Sequence, residues 1–153
     1  MVEFVPAKPD AVRAIARNLR PVDVAEIAAV HGRDIDLALL LRMSVDMSAD
    51  PLVALADGEP IAVLGCAPAG TLLAGFGVPW LLGTDGCDSH PRVFVAAGRR
   101  IVGQWHARHG LLLNRVSAAN TASIRWLRAI GFEIHKATPY GVMRLPFHPF
   151  TMG

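Results

Sequence analysis

The side chains with the most chemistry to offer in this chain are two cysteines, six histidines, a single tyrosine and scattered arginines. Thiol chemistry needs a thiolate, which forms in polar, electropositive, accessible surroundings. Cys66 ends the apolar run Ile61–Cys66 and reads as core. Cys87 lies in a polar stretch ahead of a helix start and is the better candidate for a reactive thiol. Neither has a partner at metal-ligand spacing, and two cysteines build no dense disulfide framework, so a reduced cytoplasmic setting is the expectation. His106 and His109 stand i, i+3 on one helix, but a metal needs further ligands and the neighbouring sequence offers none. His31, His135 and His148 are isolated in sequence. Arg92 falls in the first turn of the same helix, where it reads as a solvated residue or, alternatively, as an anion contact. Tyr140 lies in the turn Pro139-Tyr-Gly141 and is expected at the surface. Asn120 is explained by capping, worth about 1 kcal/mol, without any ligand. Trp80, Trp105 and Trp126 are expected to fill the core between sheet and helices.

The composition narrows the setting. The chain has 153 residues, 52% hydrophobic and 18% charged, which excludes a disordered chain and suits one domain, residues 1–153. A formal net charge of +2 does not point to nucleic acid. Met1–Lys8 has no apolar stretch of the signal-peptide kind. Ile61–Thr84 is uncharged and long enough to span a bilayer, but it holds Pro68, Pro79 and five glycines and breaks into β-like pieces, so no span is expected.

Those residues must be positioned by elements that the periodicity predicts. Val2–Val5 reads as a strand. A helix opens at Pro9 with Val12, Ile15, Ala16 and Leu19 on one face, and Arg20-Pro21 ends it. Val22–Val30 reads as a second helix with Val22, Ala25, Ala29 and Val30 as its stripe. A third, capped by Asp34 or Asp36, carries Leu37, Leu40, Leu41 and Met43. Leu52–Ala56 and Ile61–Cys66 form a hairpin across Asp57-Gly58. Ala67–Gly77 reads as a small-residue loop and Val78–Gly83 as a strand. Asp88 or Ser89 is expected to cap a helix that begins at Pro91 and ends at Gly110. Leu111–Val116 is a strand, and Asn120 starts a helix that Gly131 ends. Phe132–Ala137 and Val142–Leu145 read as a last hairpin. Crossovers give parallel pairs and hairpins antiparallel ones, so the fold class is α/β: a mixed sheet with helices on both faces.

The run Leu111-Leu-Leu-Asn-Arg-Val-Ser-Ala-Ala-Asn-Thr-Ala-Ser-Ile-Arg-Trp-Leu-Arg-Ala-Ile-Gly-Phe132 resembles the C-terminal half of GNAT acetyltransferases: a strand, an Asn-led helix, then hydrophobic-Gly-Phe. The similarity extends in element order over roughly residues 50–147. Within it, Asn120-Thr-Ala-Ser-Ile-Arg-Trp-Leu-Arg-Ala-Ile-Gly131 and Trp80-Leu-Leu-Gly-Thr-Asp85 resemble the internal virion protein A family of short-tailed bacteriophages.

The broader resemblance implies acetyl-CoA as the cofactor if the chain is active. Its pyrophosphate would lie on a loop at His90-Pro-Arg-Val-Phe-Val95 and a helix start. Its thioester would lie beside the end of Val78–Gly83. The positions so implicated are Leu82, Gly83, His90, Arg92, Val93, Val95 and Asn120. The chain departs from that pattern in two places. Val93 and Val95 replace the small residues that let phosphate approach the backbone. Leu127 stands where a tyrosine acid is usual, and leucine donates no proton. No residue is therefore expected to act as a catalytic group, and none to bind a metal. The narrower resemblance implies a non-catalytic virion assembly or ejection factor. It would contact phage structural proteins in the bacterial cytoplasm or the virion, with Leu72, Leu73 and Phe76 as a contact surface. An acetyl-CoA-dependent N-acetyltransferase acting on an unknown amine is the alternative.

Overall fold

The computed structural model describes all 153 residues. Eight strands form one sheet: β1 (Val2–Pro6), β2 (Leu52–Ala56), β3 (Glu59–Gly70), β4 (Gly75–Gly83), β5 (Leu112–Ser117), β6 (Glu133–Ile134), β7 (Thr138–Tyr140) and β8 (Leu145–Met152). Their order is β1-β2-β3-β4-β5-β8-β6, and β7 also pairs with β8. Only β4 and β5 are parallel neighbours. The helices are α1 (Pro9–Arg17), α2 (Pro21–His31), α3 (Leu37–Met47), α4 (Pro91–His109) and α5 (Thr121–Ala129).

Helices cover both faces, as a mixed sheet with crossovers requires. On one face Val12, Ile15 and Leu41 of α1 and α3 pack on Val53 and Val63, with Trp80 and Leu82 beside them. On the other, Ile101, Val102 and Trp105 of α4 and Ile124 and Leu127 of α5 pack on Leu64, Cys66, Leu112 and Val116. β3 lies between strands and under both layers, so Ile61–Cys66 is buried without alternation.

Several expectations are corrected. Ala67–Gly77 is not a loop: β3 runs on to Gly70 and β4 starts at Gly75, leaving a tight tip at Thr71–Ala74. Small residues suit a strand here because the neighbours leave no room: a Cβ at Gly77 would stand 2.7 Å from both Cys66 Sγ and His109 Cδ2. The last hairpin is also misplaced. The long strand is β8, beginning where the hairpin was expected to end, with Pro146 and Pro149 inside it. Asp36, not Asp34, caps α3, accepting from Leu39 N–H at 3.1 Å. Neither Asp88 nor Ser89 caps α4; His90 holds the cap position without a side-chain bond. Of the stripe expected on α2, Val22 and Ala25 face outward and Val30 is half-buried; only Ala29 is buried, together with Asp23 and Ile27.

Candidate functional site

β4 and β5 pair only at Gly77 and Leu112, where Gly77 N–H donates to Leu111 O at 2.9 Å. Beyond that point they diverge, and a cavity of about 650 Å³ opens between them, walled by α2 on one side and α4 and α5 on the other. Diverging strands leave main-chain donors and acceptors without a ladder, and buried groups of that kind need other partners.

Side chains supply most of them. Gly77 and Gly83 both turn their N–H toward the opening, so the two-residue period puts Pro79 and Leu81 on the same edge. Gly83 N–H donates to Asp23 Oδ2 at 2.9 Å. Pro79 has no N–H, and its carbonyl accepts from Asn114 Nδ2 at 2.7 Å, a bridge across the wedge. On β5, Arg115 N–H donates to Asn114 Oδ1 at 2.8 Å and Ser117 N–H to Glu26 Oε1 at 2.9 Å. Leu81 N–H is left as the β4 donor facing the cavity.

The two acids stand one turn apart on α2 and grip opposite strands. Asp23 is 3% exposed and ion-paired with Arg20, whose Nε and Nη2 donate to it at 3.0 and 3.1 Å. Arg20 Nη1 also donates to Asp88 at 2.8 Å. Burial alone would pull the guanidinium down; the bonds and charge of Asp23 outweigh it, so Arg20 is held charged. Glu26 has no such cation. Its Oε2 accepts from Asn120 Nδ2 at 2.9 Å, while Asn120 Oδ1 caps α5 by accepting from Ser123 N–H at 3.2 Å. Burial raises the Glu26 carboxyl above its ordinary value; the bonds from Asn120 and Ser117 oppose the rise, the Asp23 charge adds to it and the Arg20 charge opposes it. Glu26 is thus a cavity carboxyl more ready than an ordinary one to take up a proton.

The sequence-implicated positions divide into two groups. Leu82, Val95 and Asn120 line the cavity, and Gly83 sits buried at its edge. His90, Arg92 and Val93 lie outside it, at the helix start, where Arg92 and Val93 are exposed. His90–Val95 is no loop, because Pro91 starts α4 at once. Phe94 N–H already donates to His90 O at 3.2 Å, which leaves Arg92 and Val93 as the free first-turn donors. Leu127 is buried core.

Cys87 is corrected: it is buried, and desolvation pushes its thiol up to about 11, as it does for Cys66. His135 and His148 meet across strands, His148 Nδ1 donating to the His135 carbonyl at 2.7 Å. Phe76 is half-buried, whereas Leu72 and Leu73 are fully exposed. Trp105 is core; Trp80 Nε1 donates to Ser48 and Trp126 Nε1 to the Phe94 carbonyl, both from the cavity wall. Sequence reasoning missed Arg20, Asp23, Glu26, Asn114 and Arg115. The available signal was the i, i+3 pair of acids on α2, set among apolar residues.

No protein-family model matches the sequence, and no curated protein matches it. Solved structures do. An acetyltransferase of the GNAT family from Streptococcus pneumoniae superposes with a TM-score of 0.65 at 13% identity, covering 99% of each chain. The aminoglycoside N(6')acetyltransferase of Legionella pneumophila gives 0.70 at 12%, covering 99% of this chain and 91% of its own. AAC(6')-Ib, in complex with ribostamycin and coenzyme A, gives 0.70 at 17%, covering 99% and 92%. The chain has the GNAT acetyltransferase fold.

Proposed function

We propose that the protein is an acetyl-CoA-dependent N-acetyltransferase in which Glu26 accepts the proton of the acceptor amine. The observation that carries this reading is a half-buried carboxyl without a counter-ion in the wedge between β4 and β5. Coenzyme A in complex with AAC(6')-Ib, a protein of the same fold, supports it.

The residues fit the two ends of the cofactor unequally. The strand period turns Leu81 N–H toward the wedge, where an acyl carbonyl would lie, and Val95 and Phe94 wall its α4 side. At the phosphate end, two first-turn N–H groups and the Arg92 cation replace a glycine-rich loop, a sparse set of donors. Bound acetyl-CoA would supply the electrophilic acyl carbon and a thiolate leaving group. Leu81 N–H then stabilises negative charge on the carbonyl oxygen. Glu26 takes the proton that the amine must lose, and Ser117 and Asn120 hold its carboxylate in place. Leu127, where the resemblance expects a tyrosine acid, is apolar and donates no proton, so a thiolate leaving group would take its proton from water.

Calorimetric titration with acetyl-CoA and CoA, followed by thiol release with a panel of amines, tests the reading. Micromolar binding with amine-dependent thiol release supports it; no binding at millimolar cofactor overturns it.

A second reading, a phage-type assembly or ejection factor working through contacts with phage structural proteins, is favoured by the β3–β4 tip, where Leu72 and Leu73 have no packing partner. Replacing both with aspartate leaves the fold intact and, on this reading, abolishes assembly into particles. Unchanged assembly rules it out.

A further inference from the structure

Arg115 lines the cavity and is a cation that the acyl-transfer chemistry does not use. Its guanidinium carbon lies 4.5 Å from the Tyr140 ring centroid. That ring is itself held edge-on against buried Phe147, with centroids 5.5 Å apart. Unlike Arg20, Arg115 makes no ion pair within the protein. Stacking on an aromatic face leaves the guanidinium's N–H edge free for a planar anion.

Its position relative to Glu26 follows from the strand. Arg115 and Ser117 are two residues apart on β5, so their side chains share a face and their Cα atoms lie about 6.7 Å apart. Ser117 N–H holds Glu26. Glu26 and Arg115 both line this cavity, so the site offers an acceptor for an amine and a fork for an acid. The same side of the cavity carries Ile27, Trp80 and Leu82, an apolar wall.

We propose that the acceptor is an apolar α-amino acid, its carboxylate held by Arg115 and its amine turned to Glu26. This rests on the acetyltransferase reading for the chemistry, but recognition of the amino acid is a property of the rim alone. The product is then an N-acetylamino acid. The C–N bond forms as the thioester C–S bond breaks, the amine proton goes to Glu26 and the thiolate takes one from water.

The test uses ligands differing by one group: L-leucine and L-phenylalanine, their decarboxylated amines 3-methylbutylamine and phenethylamine, and their deaminated acids 4-methylpentanoate and 3-phenylpropanoate. Binding is read by calorimetry, without cofactor and again with CoA, so that failure of cofactor binding and failure of amino-acid binding are separate results. At least one amino acid is expected to bind about ten- to a hundredfold tighter than its amine or its acid. Arg115→Gln should bring the amino acid down to the level of the amine, and Arg115→Lys should recover part of the difference. Arg115 is exposed, so both variants are expected to keep the wild-type melting temperature. Equal binding of amine and amino acid, absence of binding by both amino acids, or retained selectivity in Arg115→Gln overturns the proposal.

Discussion

A carboxylate withdrawn from water costs free energy when charged, and hydrogen bonds return only part of it. Glu26 is largely withdrawn from water, with two such bonds and no ion pair, so its carboxyl is raised above its ordinary value. The consequence for stability has a definite sign. The unfolded chain ionises this glutamate first, so stability falls as pH rises from the usual carboxylate range through the raised folded value, then levels off. Glu26→Gln should flatten that stretch of the stability–pH curve, read by urea unfolding at each pH. It should also lower kcat/KM by about 10²-fold or more and remove the acidic limb of the pH–rate profile, while acetyl-CoA still binds. A limb that survives in the variant assigns the base elsewhere. The two thiols make the opposite case. Both lie up at about 11 because they are buried. At pH 8 neither should react with a disulfide reagent in the native protein, and both should react in denaturant. Prompt labelling of Cys87 in the native state would contradict its burial.

At the scale of elements, α2 decides the site, and it is the element whose buried face sequence reasoning placed only in part. A stripe of Val22, Ala25, Ala29 and Val30 is the apolar choice on a helix whose residues are mostly small or branched, yet only Ala29 of it is buried. The structure instead buries Asp23, because Arg20 and the Gly83 N–H satisfy both its oxygens. Partners that distant in sequence are invisible to periodicity, which registers only hydrophobic contrast. The α5 segment was legible for the opposite reason: its Asn cap, apolar face and terminal Gly131 are local signals, and all appear as expected. Removing one member of the α2 ion pair leaves a buried charge uncompensated. Arg20→Met should therefore cost about 3–5 kcal/mol in urea unfolding. Asp23→Leu added to it should recover part of the loss, but not all, because Gly83 N–H is then orphaned. A cost below about 1 kcal/mol would mean the pair is solvated, as surface pairs are. At the other wall, Arg92 is the exposed cation beside two free N–H groups. Arg92→Ala should weaken acetyl-CoA binding several-fold without changing the melting temperature, as expected of a solvated charge that serves an anion.

Across the whole molecule, the sheet could be anticipated as mixed and covered on both faces, but not the insertion of its last strand. Hairpins join neighbours, and the sequence around Pro139-Tyr-Gly141 reads as one. β8 instead crosses to lie between β5 and β6, pairing Leu112–Ser117 with Met152–Phe147 along their full length. Its prolines hid it, since Pro146 and Pro149 argue against an interior strand. They stand three residues apart, off the two-residue strand period, and only the long-range pairing explains their place. The strand carries Phe147 and Phe150 into the interior, the latter edge-on to Phe132 at 5.0 Å. Burial of two such side chains is worth about 3–6 kcal/mol, and losing the ladder exposes the edge of β5 as well. Against a total stability of about 5–15 kcal/mol, that is a large fraction. β5 is also one wall of the wedge and supplies Asn114, Arg115 and Ser117. Deleting residues 145–153 should therefore leave a chain without a cooperative urea transition and without ligand binding. Phe147→Leu, which shrinks the buried side chain but keeps the strand, should retain both at reduced stability. A truncated chain that still unfolds cooperatively would show that the first seven strands form a core of their own, and the wedge would then have to be held by α2 and α4 rather than by β8.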